Sequence, residues 1–235
     1  MTDPTPPDRR PRMVLVTGAP GTGKTTLGAA LALALRVPFL ARDDVRGGLF
    51  LTAGAWGPRP ARVPPADEAV EAFLRLVETA AALGVSCVAE YVVRRHRPAD
   101  LRRLTAAADC VAVVTECRDP LDRAARRDQA DRLLNRRPVL DALGYATVDD
   151  HAAAARARMG SVAGAMRVDL GLPTLRVATD DGFEPGLDAI VEFAVAATPP
   201  PAGSCGPGCR TGPGSRSRCR RAARSAPPGT RRPWP

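Results

Sequence analysis

Lys24 is the single lysine among the 34 lysines and arginines of the chain, and it stands in a run of glycines. Where arginine fills every other basic position, the remaining ammonium marks a place that needs a compact, flexible point charge rather than a planar fork. The run Gly18-Ala19-Pro20-Gly21-Thr22-Gly23-Lys24-Thr25 fits G-x-x-x-x-G-K-[ST] without a mismatch. Glycines at these spacings let successive backbone N–H groups turn inward around a phosphate, and a helix starting behind them adds its partial positive charge. In such a loop the lysine reaches the β and γ phosphates and the following hydroxyl, here Thr25, ligates Mg2+. Gly18 to Thr26 is therefore the expected nucleotide-binding stretch, for ATP or GTP with magnesium.

A second group of chemical residues is Arg42-Asp43-Asp44-Val45-Arg46. A carboxylate there can accept the proton of an attacking hydroxyl, and an arginine can hold an acceptor or a phosphoryl group in transfer. The plainer reading of Asp44 is a cap on the next helix. Glu90 closes a further apolar run, where an ordinary strand-end carboxylate is the competing reading.

These groups need elements to hold them. Met13 to Thr17 reads as a buried parallel strand feeding the glycine loop, and Thr26 to Leu35 as an Ala- and Leu-rich helix after it. Val37–Ala41, Val85–Glu90, Cys110–Cys117 and Leu175–Ala178 are four more short strands, and Glu68–Leu83 and Gly186–Ala196 carry helical periodicity. Strands alternating with helices predict a three-layer α/β domain over residues 12–197, with a parallel sheet of about five strands. Open sheets of this kind bind ligands at the C-terminal ends of their strands, where the glycine loop, the Arg42–Arg46 cluster and Glu90 all fall.

Composition agrees. The 235 residues are 45% hydrophobic and 25% charged, ordinary for a globular protein and against global disorder. The net charge of +9 is uneven: residues 198–235 hold eight arginines and no acid, leaving about +1 for the rest. That Pro-, Gly- and Arg-rich segment is expected to be a disordered tail. It could bind nucleic acid loosely through counterion release or do nothing of note. Cys87, Cys110 and Cys117 lie in apolar runs and read as small buried residues of a reduced protein. Cys205, Cys209 and Cys219 lack the paired spacing and the histidine of a zinc site. No apolar run is long enough to span a membrane, and a cytoplasmic location is the expectation.

"GAPGTGKTT" followed by "ARDDVRGGL" resembles the P-loop kinases of the polynucleotide-kinase-like group, often described as AAA-type ATP-binding proteins and related to chloramphenicol phosphotransferases, zeta toxins and gluconate and shikimate kinases. The resemblance implies that Asp43 is the general base and Arg46 an acceptor-site contact. It places Glu90 where the family usually has Asp, near Mg2+ or the acceptor. It aligns "RRHRPADLRRL" with a helix whose arginine faces the acceptor, leaving Arg94, Arg95 and Arg97 unranked and His96 a solvated neighbour. It also aligns Leu121 to Arg127 with the start of a lid, whose Arg123 and Arg127 would neutralise charge on the phosphoryl group; a basic solvated helix is the plain alternative.

The reading is an ATP- and Mg2+-dependent kinase acting on a hydroxyl of a small molecule or nucleotide, as a monomer or small homo-oligomer. A polynucleotide 5′-hydroxyl kinase is the nearest alternative, which the basic tail favours. An AAA-type ATPase should show a strand ending in Asp-Glu and a sensor residue, and neither is in the sequence. A nucleic-acid module with a degenerate loop conflicts with the intact Lys24-Thr25 pair. The acceptor depends on pocket shape and on the Pro- and Gly-rich segment 52–65.

Overall fold

In a computed structural model of the chain, described here for residues 10–52, 65–120, 123, 153 and 169–198, five parallel strands form one sheet. They are β1 (Arg12–Gly18), β2 (Phe39–Ala41), β3 (Cys87–Glu90), β4 (Asp109–Glu116) and β5 (Thr174–Ala178), in the order β2-β3-β1-β4-β5. Among the described residues the helices with full ranges are α1 (Lys24–Leu35), α2 (Arg42–Thr52), α3 (Ala66–Ala82), α4 (Pro98–Ala107) and α5 (Leu187–Ala196). Segment 53–64, Arg127 with most of the expected lid, and residues 199–235 with Cys205, Cys209 and Cys219 lie outside the described residues.

Alternation along β1 makes the three layers. Met13 and Leu15 point to one face and pack with Phe73, Leu74 and Val77 of α3 and Leu104 of α4. Val14 and Val16 point to the other and pack with Leu27 and Leu31 of α1 and Ile190 of α5. All four β1 side chains are essentially inaccessible, as expected for a central strand covered on both faces. Gly28 allows α1 to close on the sheet, since a Cβ there would lie 2.5 Å from the Phe39 ring.

Two strands start later than their apolar runs suggest, and both for the same reason. The Val37 N–H bonds the Ala32 carbonyl to finish α1, with Arg36 left-handed at φ 56°, so β2 begins only at Phe39. Likewise Gly84 and Val85 donate to Ala81 and Ala80 to close α3, so β3 begins at Cys87. Helix termination takes the backbone groups that a strand would have used. Cys117 departs from its expected burial: β4 ends at Glu116, and the thiol is only partly covered, 3.9 Å from the Gly21 carbonyl. Cys87 and Cys110 are buried as expected, and burial pushes their thiols up to about 11 and about 12.

Arginines at the other end of the sheet tie the layers together. Arg12 Nη1 donates to the Ala194 and Val195 carbonyls at 2.7 and 2.9 Å, capping α5. Arg10 Nη2 donates to the Thr105 and Ala106 carbonyls and so caps α4 on the opposite face. Among the described residues no helix is long and apolar enough to cross a membrane.

Candidate functional site

The loop leaving β1 depends on glycine where geometry requires it. Gly18 has φ 148°, and a Cβ on it would lie 2.5 Å from the Thr115 carbonyl oxygen of β4. Gly21 and Gly23 are left-handed at φ 84° and 79°, which re-aims the backbone within a few residues. Gly23 is also the N-cap of α1, where its carbonyl accepts from the Leu27 N–H at 3.0 Å. Behind it the first turn of α1 presents N–H groups with no intrahelical acceptor, the ordinary anion site of a helix start.

Hydroxyls buttress this loop. Thr22 Oγ1 donates to the Ala19 carbonyl at 2.7 Å and lies 2.7 Å from Thr115 Oγ1. Thr179 Oγ1, from the loop after β5, donates to the Thr22 carbonyl at 2.9 Å. Thr17, Thr22, Thr115 and Thr179 are all buried. Lys24 is buried too, with Nζ donating to the Ala19 carbonyl at 2.8 Å. Its ammonium thus lies back along the loop, within reach of anything the loop encloses. Thr25 and Thr26, by contrast, are exposed at the start of α1.

The Arg42–Arg46 cluster is helical. α2 begins at Arg42 directly after β2, so Asp43 and Asp44 occupy its first turn rather than a strand-end loop, a position favourable for acids beside the helix dipole. Arg42 Nη1 pairs with Asp43 Oδ1 at 3.0 Å. Burial lowers the Arg42 guanidinium from its usual range, and electrostatic interaction with Tyr91 and Glu90 partly restores it. Asp44 reaches the surface, yet packing around its carboxyl raises it. Glu90 is buried, and its Oε2 has no hydrogen-bond partner among the described residues.

Strand register brings the two groups together. Val16 pairs with Glu90 across β1–β3, and Ala41 pairs with Glu90 across β2–β3. The glycine loop starts two residues past Val16 and Asp43 lies two past Ala41, so they leave the same edge of the sheet two strand spacings apart, about 10 Å.

The arginines after β3 separate. Arg97 bonds Asp67 of α3 and, at 2.8 Å, Asp100 of α4, so it pins the starts of two helices together. His96 and Arg95 are exposed and Arg94 is half-buried. Arg123 Nη1 donates to the carbonyl of Thr179 and, at 3.1 Å, to its hydroxyl, while Nη2 donates to the Asp180 carbonyl at 3.2 Å. Thr115 and Thr179 are site residues that motif reading passes over. They are isolated threonines at strand ends, and only the sheet order brings them to the loop.

A nucleotide phosphate fits this cradle: the left-handed Gly21 and Gly23 turn the backbone around it, and the Lys24 ammonium is buried beside it. Thr25 exposes its hydroxyl at the start of α1, and Glu90 at the end of β3 holds a buried oxygen without a hydrogen-bond partner among the described residues. Among the described residues no group of three or more His, Cys, Asp and Glu could hold a metal by protein ligands alone. Magnesium in phosphoryl transfer is instead commonly held by one or two side chains together with phosphate oxygens and water.

Residues 13–159 match the family described as AAA domain. No curated protein matches the chain. Among solved structures, a candidate kinase from Chloroflexus aurantiacus J-10-fl is 24% identical, with a TM-score of 0.56 covering 79% of this chain and 97% of that one. A gluconokinase from Sinorhizobium meliloti 1021 is 17% identical, with a TM-score of 0.45 covering 80% and 91%. A shikimate kinase from Bacteroides thetaiotaomicron is 19% identical, with a TM-score of 0.41 covering 77% and 94%. The first of these likenesses shows a shared fold, the P-loop kinase-like α/β arrangement.

Proposed function

The chain belongs to the AAA domain family, and from that premise we propose that it is a kinase that moves the γ-phosphoryl group of ATP to a hydroxyl of a small molecule or nucleotide. The observation that carries the reading is the shared sheet edge: a phosphate cradle with a buried lysine between β1 and α1, and a paired aspartate two strands away at the start of α2.

In this mechanism the Gly18–Thr26 loop and Lys24 hold the phosphates, and Thr25 with Glu90 would hold Mg2+. Bound there, the ion would supply charge neutralisation to the phosphates. Asp43 accepts the proton of the acceptor hydroxyl as its oxygen bonds to the γ-phosphorus. The bond from that phosphorus to the β,γ-bridging oxygen breaks, and ADP leaves with the electron pair. Arg42 keeps Asp43 oriented. Arg46, together with Arg127 as the family resemblance implies, balances the charge on the phosphoryl oxygens.

The arginine-rich segment 198–235 favours one second reading, a 5′-hydroxyl polynucleotide as acceptor. Both readings are tested by ADP release from Mg-ATP with the full chain, against sugars, polyols, antibiotics, nucleosides and a 5′-hydroxyl oligonucleotide. One class is expected to stimulate the wild type. Asp43→Asn should lower that turnover about 10²- to 10⁴-fold while Mg-ADP still binds, and Lys24→Ala should lose ATP binding. Acceptor-independent hydrolysis that survives Asp43→Asn would replace the kinase reading with an ATPase.

A further inference from the structure

Arg123 is the residue whose surroundings fit its expected part least. An arginine that meets a phosphoryl group in transfer needs its guanidinium available to the phosphate oxygens. Here three donor contacts from two of its nitrogens go to protein: the Thr179 carbonyl, the Thr179 hydroxyl at 3.1 Å and the Asp180 carbonyl at 3.2 Å. To turn toward a phosphate it would forfeit all three.

The loop it grips is fixed on its other sides. Ala178 and Glu184 exchange backbone bonds of 2.8 and 2.9 Å, the Thr179 N–H donates to the Glu116 carbonyl at 2.9 Å, and the Arg118 N–H donates to Asp180 Oδ1 at 3.0 Å. Thr179 is buried, and its hydroxyl, while accepting from Arg123, has the Thr22 carbonyl at 2.9 Å as the nearer acceptor for its single proton and the Glu116 carbonyl at 3.2 Å as the farther. A hydrogen-bonded line therefore runs from the guanidinium through one hydroxyl to the phosphate loop. It ends on the peptide joining Thr22 to Gly23. Because that unit is planar and trans, holding its carbonyl toward Thr179 turns the Gly23 N–H the opposite way, the side from which a phosphate meets it.

We infer that Arg123 is a positioning residue that acts through Thr179 to orient the Thr22–Gly23 peptide of the phosphate loop, and that it is not a group that meets the transferred phosphoryl. The inference rests on the nucleotide-binding part of the proposed function. An arginine suits the task because its planar fork addresses two successive carbonyls, which a lysine cannot do.

A positioning role and a transition-state role differ in what they spare. Through the loop, Arg123 supports every bound phosphate, so Arg123→Ala is expected to weaken Mg-ADP and Mg-ATP by the same factor, about fivefold, which is the scale of one lost hydrogen bond. Thr179→Val, which removes the hydroxyl and keeps the shape, should do the same. The double variant should be no weaker than Arg123→Ala alone, since both cut one line. Thr179→Ser keeps the hydroxyl and should bind as the wild type does, and Arg123→Lys should resemble Arg123→Ala. Calorimetry with Mg-ADP and Mg-ATP reads all of these. In the nucleotide-free chain, the Gly23 amide resonance should shift in both Arg123→Ala and Thr179→Val, with the distant α4 amides unmoved.

Unchanged Mg-ADP affinity in Arg123→Ala, with loss confined to turnover, would overturn the inference and restore the charge-stabilising role. Multiplying effects in the double variant would overturn the line through Thr179. A wild type that binds neither nucleotide would remove the proposed function and this inference together, an outcome distinct from either.

Discussion

Around the phosphate loop a frame of buried hydroxyls surrounds the buried charge of Lys24, and at the ends of β2 and β3 the polar groups are charges. Thr22, Thr115 and Thr179 find protein partners at 2.7 to 2.9 Å, and together they fix the loop with no ligand present. At the other edge Arg42 is half-buried and Glu90 buried beside it, yet Glu90 Oε2 has no hydrogen-bond partner among the described residues. Neutral hydroxyls are cheap to bury once bonded, whereas an incompletely bonded carboxylate stays costly. The hydroxyl frame behind the loop is thus complete in the protein alone, whereas the second side keeps a buried carboxylate oxygen without a partner among the described residues.

The strongest way to break this contrast is to disturb the completed side. Gly18→Ala places a methyl 2.5 Å from the Thr115 carbonyl at a φ of 148°. Strain of about 1 to 3 kcal/mol and a comparable overpacking cost should together lower Mg-ADP affinity about a hundredfold or more. Gly48→Ala is the control: it lies in α2 with nothing within 4 Å of its Cβ, and a gain of about 0.5 to 1 kcal/mol in urea unfolding is expected. Equal losses from the two would show that the loop is not the tightly fitted element claimed here.

Next in size is a matched pair across the site. Thr115→Val removes one buried hydroxyl from a satisfied set and should cost about 1 to 2 kcal/mol of stability. Glu90→Gln should be neutral or stabilising in the same urea titration, because it removes charge from a buried oxygen that lacks a partner, while acceptor-stimulated turnover falls. If Glu90→Gln destabilises as much as Thr115→Val, Glu90 serves the fold, and the second side is as complete as the first.

The two sides also differ in how far the residues alone reveal them. The loop is legible because its chemistry is contiguous: eight residues in a row carry the glycines, the lysine and the threonine. The five strands are legible because apolar runs punctuated by glycine leave few other readings. The hydroxyl support is not legible, since Thr22, Thr115 and Thr179 are 93 and 64 positions apart and meet only through the β1–β4–β5 order. Arg97 shows the converse. It sits in a motif-like helix start, and its bonds to Asp67 and Asp100 depend on how α3 and α4 pack. Strand starts were missed wherever a helix cap claimed the first apolar residues, as at Val37 and Val85.

The smallest effect tests whether the contrast stops at the sheet edge, as packing requires. Cys87 lies on β3 beneath the charged side and Cys110 on β4 beneath the hydroxyl side, and both face the same core layer. Burial raises both thiols from the ordinary 9.0, to about 11 and about 12. Between that value and the folded ones the unfolded chain releases protons that the folded chain keeps. Stability is therefore full below about pH 9 and is lost as the pH climbs through 11 and 12. Cys87→Ala and Cys110→Ala should each flatten the decline in Tm measured between pH 8 and 10.5, by similar amounts, whatever their cost at neutral pH. A flattening confined to Cys87→Ala would mean that the charged edge reaches down into the core, and that the difference between the two sides is not a property of the site alone.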